Sequence, residues 1–267
     1  MSIRLVAVDV DGTLVTSDQR VLPRVQDAVR RAAAQGVELV LCTGRAIGEC
    51  WYVLDALPEI RYAVTHTGAM AQDLKTGELL YHCPLSADDA RLIYSHLRRY
   101  DGLINFFSGG IVYNSKAQVP ASFRWLFERS HEFVDDLDAL VAGWDKPVEK
   151  FYVPFSGPEV CRQAWADLSQ LPYFVTGAGF VDLEVMNPAT NKGLALAALC
   201  RALGVPAEQV MAIGDSGNDA AMLDFAGVGV AMGNGEDALK QRADLVAPSN
   251  ELGGVADMLE LVLQGGV

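Results

Sequence analysis

The chain is poor in basic charge, in paired cysteines and in long apolar runs, and each shortage excludes something. Its 267 residues carry 21 Lys and Arg against 34 Asp and Glu, a formal net charge of −13. A surface that neutralises phosphate backbones needs the opposite sign, so neither nucleic acid nor an anionic membrane is expected as a partner. The five cysteines (42, 50, 83, 161, 200) are odd in number and show no CxxC spacing. That argues against a disulfide frame or a zinc knot and for small buried hydrophobes in a reducing compartment, so a cytoplasmic location is expected. The apolar runs, such as 37–42 and 194–200, fall far below the roughly 18 residues of a membrane-spanning helix. The opening MSIRLVAVDVDGTL sets Asp9 and Asp11 where a signal peptide would carry its apolar segment. Repeats, low-complexity tracts and disordered linkers are also missing.

Apolar residues are plentiful, at 51%. At about 150 residues per domain, the length suits one large domain or two modest ones. Ile3–Val8 reads as a strand covered on both faces. A helix is expected from Pro23 to Gln35, with Pro in its first turn and Gly36 at its exit. Strand 37–42, a helix from about Ala46 and strand 62–65 follow. The end of the chain resumes the alternation, with helices at 192–203, 218–225, 236–242 and from Gly254, and strands at 209–213, 228–231 and 244–246. Such alternation predicts an α/β fold, a Rossmann-like parallel sheet covered by helices.

The middle differs. A hairpin is expected at 69–82, turned at Lys75-Thr76-Gly77. Beyond it come helices at 87–100, 121–130 and 158–170, a strand at 148–155, and hairpins around Gly109-Gly110 and Gly177-Ala178-Gly179. Hairpins mixed with helices predict an antiparallel α+β unit. The chain therefore divides into a core of residues 1–82 and 188–267 and an insertion of residues 83–187.

Four segments stand at predicted strand ends or helix entries, where open α/β sheets bind ligands. They are Asp9-Val10-Asp11-Gly12-Thr13, Thr43-Gly44-Arg45, Asn191-Lys192-Gly193 and Gly214-Asp215-Ser216-Gly217-Asn218-Asp219. Folding the sheet gathers them at one edge. Two carboxylates about 4 Å apart repel by roughly 4 kcal/mol at an effective dielectric near 20, so several of them call for a hard cation such as Mg²⁺. With the cation and Lys192 present, the edge attracts a phosphate, to which Thr43 and backbone N–H groups can donate. One carboxylate can attack phosphorus, and a second can protonate the leaving oxygen and later activate water. Singly, each segment has a plain reading as a turn, a strand exit or a solvated helix start. An EF-hand fails, because Gly12 is fourth rather than sixth from Asp9. The late glycines do not make GxGxxG.

Together the segments resemble the four motifs of the haloacid dehalogenase superfamily, in its Cof-type branch of capped sugar-phosphate phosphatases. The likeness runs through DVDGTL (9–14), CTGR (42–45), NKG (191–193), GDSGNDAAML (214–223) and VAMGNG (230–235), with the insertion where that branch carries its α+β cap. The resemblance implies Asp9 as nucleophile and Asp11 as general acid/base. It implies Thr43, Gly44, Lys192 and Asn218 at the phosphate. It implies Mg²⁺ on Asp9, Asp215 and the backbone carbonyl of Asp11, supported by Asp219. The chain departs from the branch at Thr67-Gly68-Ala69, at Asn187-Pro188-Ala189-Thr190 and at Asn250-Glu251-Leu252-Gly253-Gly254.

The expected function is Mg²⁺-dependent hydrolysis of a small phosphate monoester, a sugar or polyol phosphate, through an aspartyl-phosphate. A sugar phosphomutase begins with a similar motif and would release isomerised sugar phosphate instead of inorganic phosphate. A phospho-accepting regulatory module also sets aspartates and a lysine around Mg²⁺, but is about half this length and has no cap. The partner expected is a small phosphorylated metabolite, and the chain is expected as a monomer or small homo-oligomer. The insertion carries 9 basic against 14 acidic residues, which disfavours a polyanionic substrate.

Overall fold

The computed structural model describes residues 2–116, 129–177 and 181–267. It divides into two compact units, one formed by residues up to Arg45, Cys50–His82 and Asn191–Val267, the other by Ala46–Glu49 and Cys83–Thr190.

The first unit opens with β1 (Leu5–Val8), whose four residues are all buried, and α1 (Pro23–Ala34), which begins on its proline. Beyond β2 (Glu38–Cys42), a tight 3-10 turn (Ile47–Cys50), most of which is counted with the second unit, precedes the short helix α2 (Trp51–Ala56). The helix expected from Ala46 thus starts five residues later, after a stretch holding Gly48, which costs helix stability. Then come β3 (Tyr62–Thr65) and the hairpin of β4 (Met70–Asp73) and β5 (Leu79–His82), turned through Gly77 at φ +75°.

The second unit contains α3 (Ala87–Leu97), β6 (Asn105–Ser108), β7 (Ile111–Ser115), β8 (His131–Val134), α4 (Leu137–Ala142), β9 (Lys150–Pro154), α5 (Pro158–Leu168), β10 (Phe174–Thr176) and β11 (Asp182–Met186). Helix α3 starts at a capping box in which Ser86 and Asp89 bond each other's backbone N–H. The strands order as β10-β11-β9-β6-β7-β8. All neighbours are antiparallel except β7 and β8, which run parallel, so the unit is not the wholly antiparallel one expected. Phe106, Phe151, Val153, Leu183 and Leu97 form its core. The expected helix at 121–130 falls mostly outside the described residues, as does the hairpin tip at Ala178-Gly179-Phe180. Asn187 Nδ2 donates to the Pro84 carbonyl and Thr190 Oγ1 to the Cys83 carbonyl. Those bonds hold the two ends of the insertion together, within a compact unit that includes Cys83–Thr190.

The chain re-enters the first unit with α6 (Lys192–Leu203), β12 (Val210–Gly214), α7 (Ala220–Phe225), β13 (Val228–Met232), α8 (Asp237–Lys240), β14 (Leu245–Ala247) and α9 (Gly254–Leu263). The sheet order is β14-β13-β12-β1-β2-β3-β4-β5. From β14 to β3 every pair is parallel. Central strands of this kind are buried on both faces, which explains the continuous apolar runs. Leu5, Ala7, Val40, Cys42, Leu196 and Leu199 belong to one core, and four of the five free cysteines are buried. No helix among the described residues is long and apolar enough to cross a membrane.

Candidate active site

Strands β12, β1 and β2 are adjacent and parallel, so their carboxyl ends deliver Asp215, Asp9 and Thr43 to one edge of the sheet. Helix α6 begins there too, with Asn191 capping it by accepting from the Leu194 N–H, which fixes Lys192 in the first turn. Lys192 is fully buried. Its Nζ donates to Asp9 Oδ1 at 2.6 Å, to Asp219 Oδ1 at 2.6 Å and to Asn218 Oδ1 at 3.3 Å. The second Asp219 oxygen accepts from the N–H groups of Asp215 and Ser216, so this carboxylate organises the loop that carries Asp215. Gly214 permits that approach, since a Cβ there would lie 2.5 Å from the Asp219 carboxyl carbon.

After Asp9 the chain makes one turn of π-helical width, with Leu14 N–H bonding the Asp9 carbonyl and Val15 N–H the Val10 carbonyl. Gly12 sits in it at φ +75°, so close to the Asp215 carboxylate that a side chain would collide with it. Thr13 Oγ1 donates to Asp215 Oδ1 at 3.3 Å. Carboxylate oxygens of Asp9, Asp215 and Asp219 lie within 4.8 Å of one another. Burial raises the Asp9 carboxyl well above the usual range; Lys192 opposes the rise, while Asp219 and Asp215 add to it. Asp215 is pushed up to about 6, by burial and then by Asp219. Lys192 is held charged, because its two carboxylate partners outweigh the cost of burying it. Three clustered carboxylates against one ammonium leave negative charge to spare, and the donors are hard oxygens. The set fits a hard divalent cation such as Mg²⁺.

Thr43 is buried beside this cluster, its hydroxyl accepting from the Arg45 N–H, with Gly44 half-buried between them. Thr43 also accepts, through its carbonyl, from the Thr67 N–H. Thr67 and His66 both have positive φ, and Gly68 at φ +98° presses so tightly on Asn191 that no Cβ fits. The loop that departs from the Asn-Gly-Ala pattern thus abuts the residue before Lys192.

The Asp11 side chain stands outside the carboxylate cluster. It is 48% exposed and held by Arg45, whose Nε donates to Oδ2 at 2.7 Å and Nη2 to Oδ1 at 2.5 Å. Gln19 bonds both Asp11 and Arg45, and the Tyr52 hydroxyl donates to Gln19. Burial tends to raise the Asp11 carboxyl, but the Arg45 bonds and charge prevail and hold it below the usual range. Sequence reasoning left Arg45 without a role although it stood in Thr-Gly-Arg. Gln19 and Tyr52 gave no signal, since they join this group from a loop and from helix α2, both outside the segment that carries Asp11.

The ends of the adjacent parallel strands β1 and β12 thus bring Asp9 and Asp215 together with Asp219 and the buried Lys192. Residues 6–259 match the family of haloacid dehalogenase-like hydrolases, and the chain belongs to that family. It is 33% identical over 277 residues to YxeH of Bacillus subtilis, covering 97% of this chain and 98% of that protein. It is 28% identical to the 5-amino-6-(5-phospho-D-ribitylamino)uracil phosphatase YcsE of the same organism, covering 96% of this chain and 94% of YcsE. A haloacid dehalogenase-like hydrolase from Bacteroides thetaiotaomicron superposes with a TM-score of 0.87 at 25% identity, covering 97% and 99% of the two chains.

Proposed function

We propose that the chain is a Mg²⁺-dependent phosphatase that hydrolyses small sugar or polyol phosphates through a phosphoryl group carried on Asp9. The observation that carries this reading is the Asp9 carboxylate, bonded through one oxygen to a buried ammonium inside the three-carboxylate cluster. The phosphoribityl group in the name of YcsE's substrate supports a polyol phosphate.

Lys192 neutralises Asp9 and, with Thr43 and the N–H of Gly44, receives the phosphate oxygens; Asn218 contacts the phosphate through its amide. Asp9, Asp215 and the Asp11 carbonyl, with Asp219 in support, would hold Mg²⁺, whose positive charge would let a phosphate dianion approach a carboxylate. An Asp9 oxygen attacks phosphorus, the bond to the leaving oxygen breaks, and the Asp11 carboxyl gives that oxygen a proton. A water then attacks the phosphoryl group, loses its proton to Asp11, and Asp9 is released with inorganic phosphate. Bound to Arg45, Asp11 is an ionised acceptor; to donate, it must leave the guanidinium and take up a proton. The phosphate-handling side chains all belong to the first compact unit, and selection of the organic group is assigned to the inserted one.

The test is release of inorganic phosphate across a panel of phosphorylated metabolites. Polyol and sugar phosphates should be turned over, and Asp11→Asn should impair alkyl phosphates more than an aryl phosphate with a good leaving group. Isomerised sugar phosphate without free phosphate would assign the chain to phosphoryl migration instead.

A further inference from the structure

Two asparagines outside the reacting group brace the turn that follows Asp9. Asn234 lies in the turn after β13, and its Nδ2 donates to the Gly12 carbonyl at 2.8 Å. Its Oδ1 accepts from the Asn250 N–H at 3.0 Å, and Asn250 Nδ2 donates to the Val15 carbonyl at 2.9 Å. One residue further, Glu251 Oε1 accepts from the Ser17 N–H at 2.7 Å. Loops from β13 and β14, the two outermost strands beyond β12, thus reach back to the loop of β1. The same β13 loop also holds the metal side of the site, for Glu236 N–H donates to the Asp215 carbonyl at 2.8 Å.

The braced turn has few holds of its own. Its two internal bonds span five residues each, Asp11 inside it is extended (φ −77°, ψ 125°) and Gly12 is left-handed. A turn of that kind has several alternatives close in energy. Its far side rests on Asp215 through Gly12 and Thr13. Asn234 and Asn250 act on its carbonyls, setting where Asp9 and Asp11 point relative to Asp215. Asn234 is exposed and Asn250 half-buried, so their bonds contribute little to global stability. Their contribution is direction.

We propose that Asn234 and Asn250 are positioning residues that hold the Asp9–Val15 turn in its reactive geometry, a proposal that rests on the phosphatase reading above. The variants Asn234→Ala, Asn234→Asp and Asn250→Ala test it. Asn234→Asp keeps the side chain's size and its acceptor for Asn250 but removes the donor to Gly12. With an aryl phosphate, kcat should fall about tenfold or more in both Asn234 variants, and KM should stay within about twofold, because small misplacements of reacting groups cost that much. Affinity for vanadate, which adopts the five-coordinate geometry of the displacement, should fall in step with kcat, while inhibition by inorganic phosphate stays unchanged. Amide hydrogen exchange across Val10–Ser17 should speed up in the variants with the melting temperature preserved. Unchanged kcat, a raised KM at constant kcat, or a kcat loss that tracks a lowered melting temperature would each overturn the brace. If the wild-type protein turned over no phosphate ester, the phosphatase reading would fall. The exchange measurement would still decide the brace, since unaltered protection at Val10–Ser17 refutes it.

Discussion

Replacing Lys192 by Met removes the charge that makes the carboxylate cluster tolerable. The ammonium sits 2.6 Å from an oxygen of Asp9 and 2.6 Å from one of Asp219, with Lys192 and Asp219 fully buried. At an effective dielectric near 20, each contact is an attraction of about 6 kcal/mol. These attractions offset desolvation of the buried ions, itself several kcal/mol per ion. Removing the cation leaves two buried carboxylates facing a third across at most 4.8 Å. The expected loss is about 3–5 kcal/mol. For a unit of this size that lowers the melting temperature by roughly 10 °C. Thermal unfolding in chelator would be compared for wild type, Lys192→Met, Asp9→Asn and the double variant. Asp9→Asn alone should cost less than Lys192→Met, because the lost attraction is offset by relief of the carboxylate's desolvation and of its repulsion by Asp219 and Asp215. In the Lys192→Met background it should restore about half of the loss, since one of the stranded charges is gone. Added Mg²⁺ should raise the melting temperature of Lys192→Met more than that of wild type, because its cluster carries one more uncompensated charge. Lys192→Met melting with wild type, or strictly additive effects at 9 and 192, would refute the electrostatic reasoning.

Three further outcomes are expected. Phosphate release should stop in chelator and return with Mg²⁺, with Asp215→Ala requiring more Mg²⁺ than wild type; full activity in metal-free buffer would contradict the donor set. Gly68→Ala should cost about 1–3 kcal/mol in a melting experiment, through its left-handed backbone and the collision with Asn191, and should lower activity by displacing Lys192; a wild-type melting temperature and rate would contradict the close approach. Asp73 accepts two bonds from Arg61 and its carboxyl is held at about 2. The folded value lies below the unfolded one of roughly 3.9, so this stabilisation is complete above that pH and is lost as pH falls toward 2. The difference in melting temperature between wild type and Asp73→Asn should therefore shrink on acidification from pH 6 to pH 3; a constant difference would remove the ion pair from the account.

The parallel core was legible because buried strands such as Leu5–Val8 and Val210–Gly214 are continuous apolar runs ending in Asp or Gly, and helices such as Pro23–Ala34 carry punctuation at both ends. The gathering of Asp9, Lys192, Asp215 and Asp219 followed from their places at strand ends and a helix start. What stayed hidden was short or non-local. The six-residue helix Leu137–Ala142 and the strand His131–Val134 are too short for a period to show among acidic neighbours. The parallel pairing of Ile111–Ser115 with His131–Val134 is a tertiary choice that no local pattern records. The grip of Arg45 and Gln19 on Asp11, backed by Tyr52, joins two loops and a helix, and the reach of Asn234 to Gly12 crosses the strand between β13 and β1. Neither has a sequence period, because loop contacts are set by the scaffold that carries the loops.

The central claim is the covalent step on Asp9. Enzyme mixed with an aryl phosphate and Mg²⁺, quenched in acid within the first turnovers and digested, should yield the peptide containing Asp9 with the mass of one added phosphoryl group. Borohydride, which reduces acyl-phosphates, should convert that residue to homoserine. Asp9→Asn, folded and with wild-type phosphate affinity, should yield neither product and release no phosphate. Phosphate release by Asp9→Asn at the wild-type rate, or phosphoryl mass on another residue during productive turnover, would contradict the account.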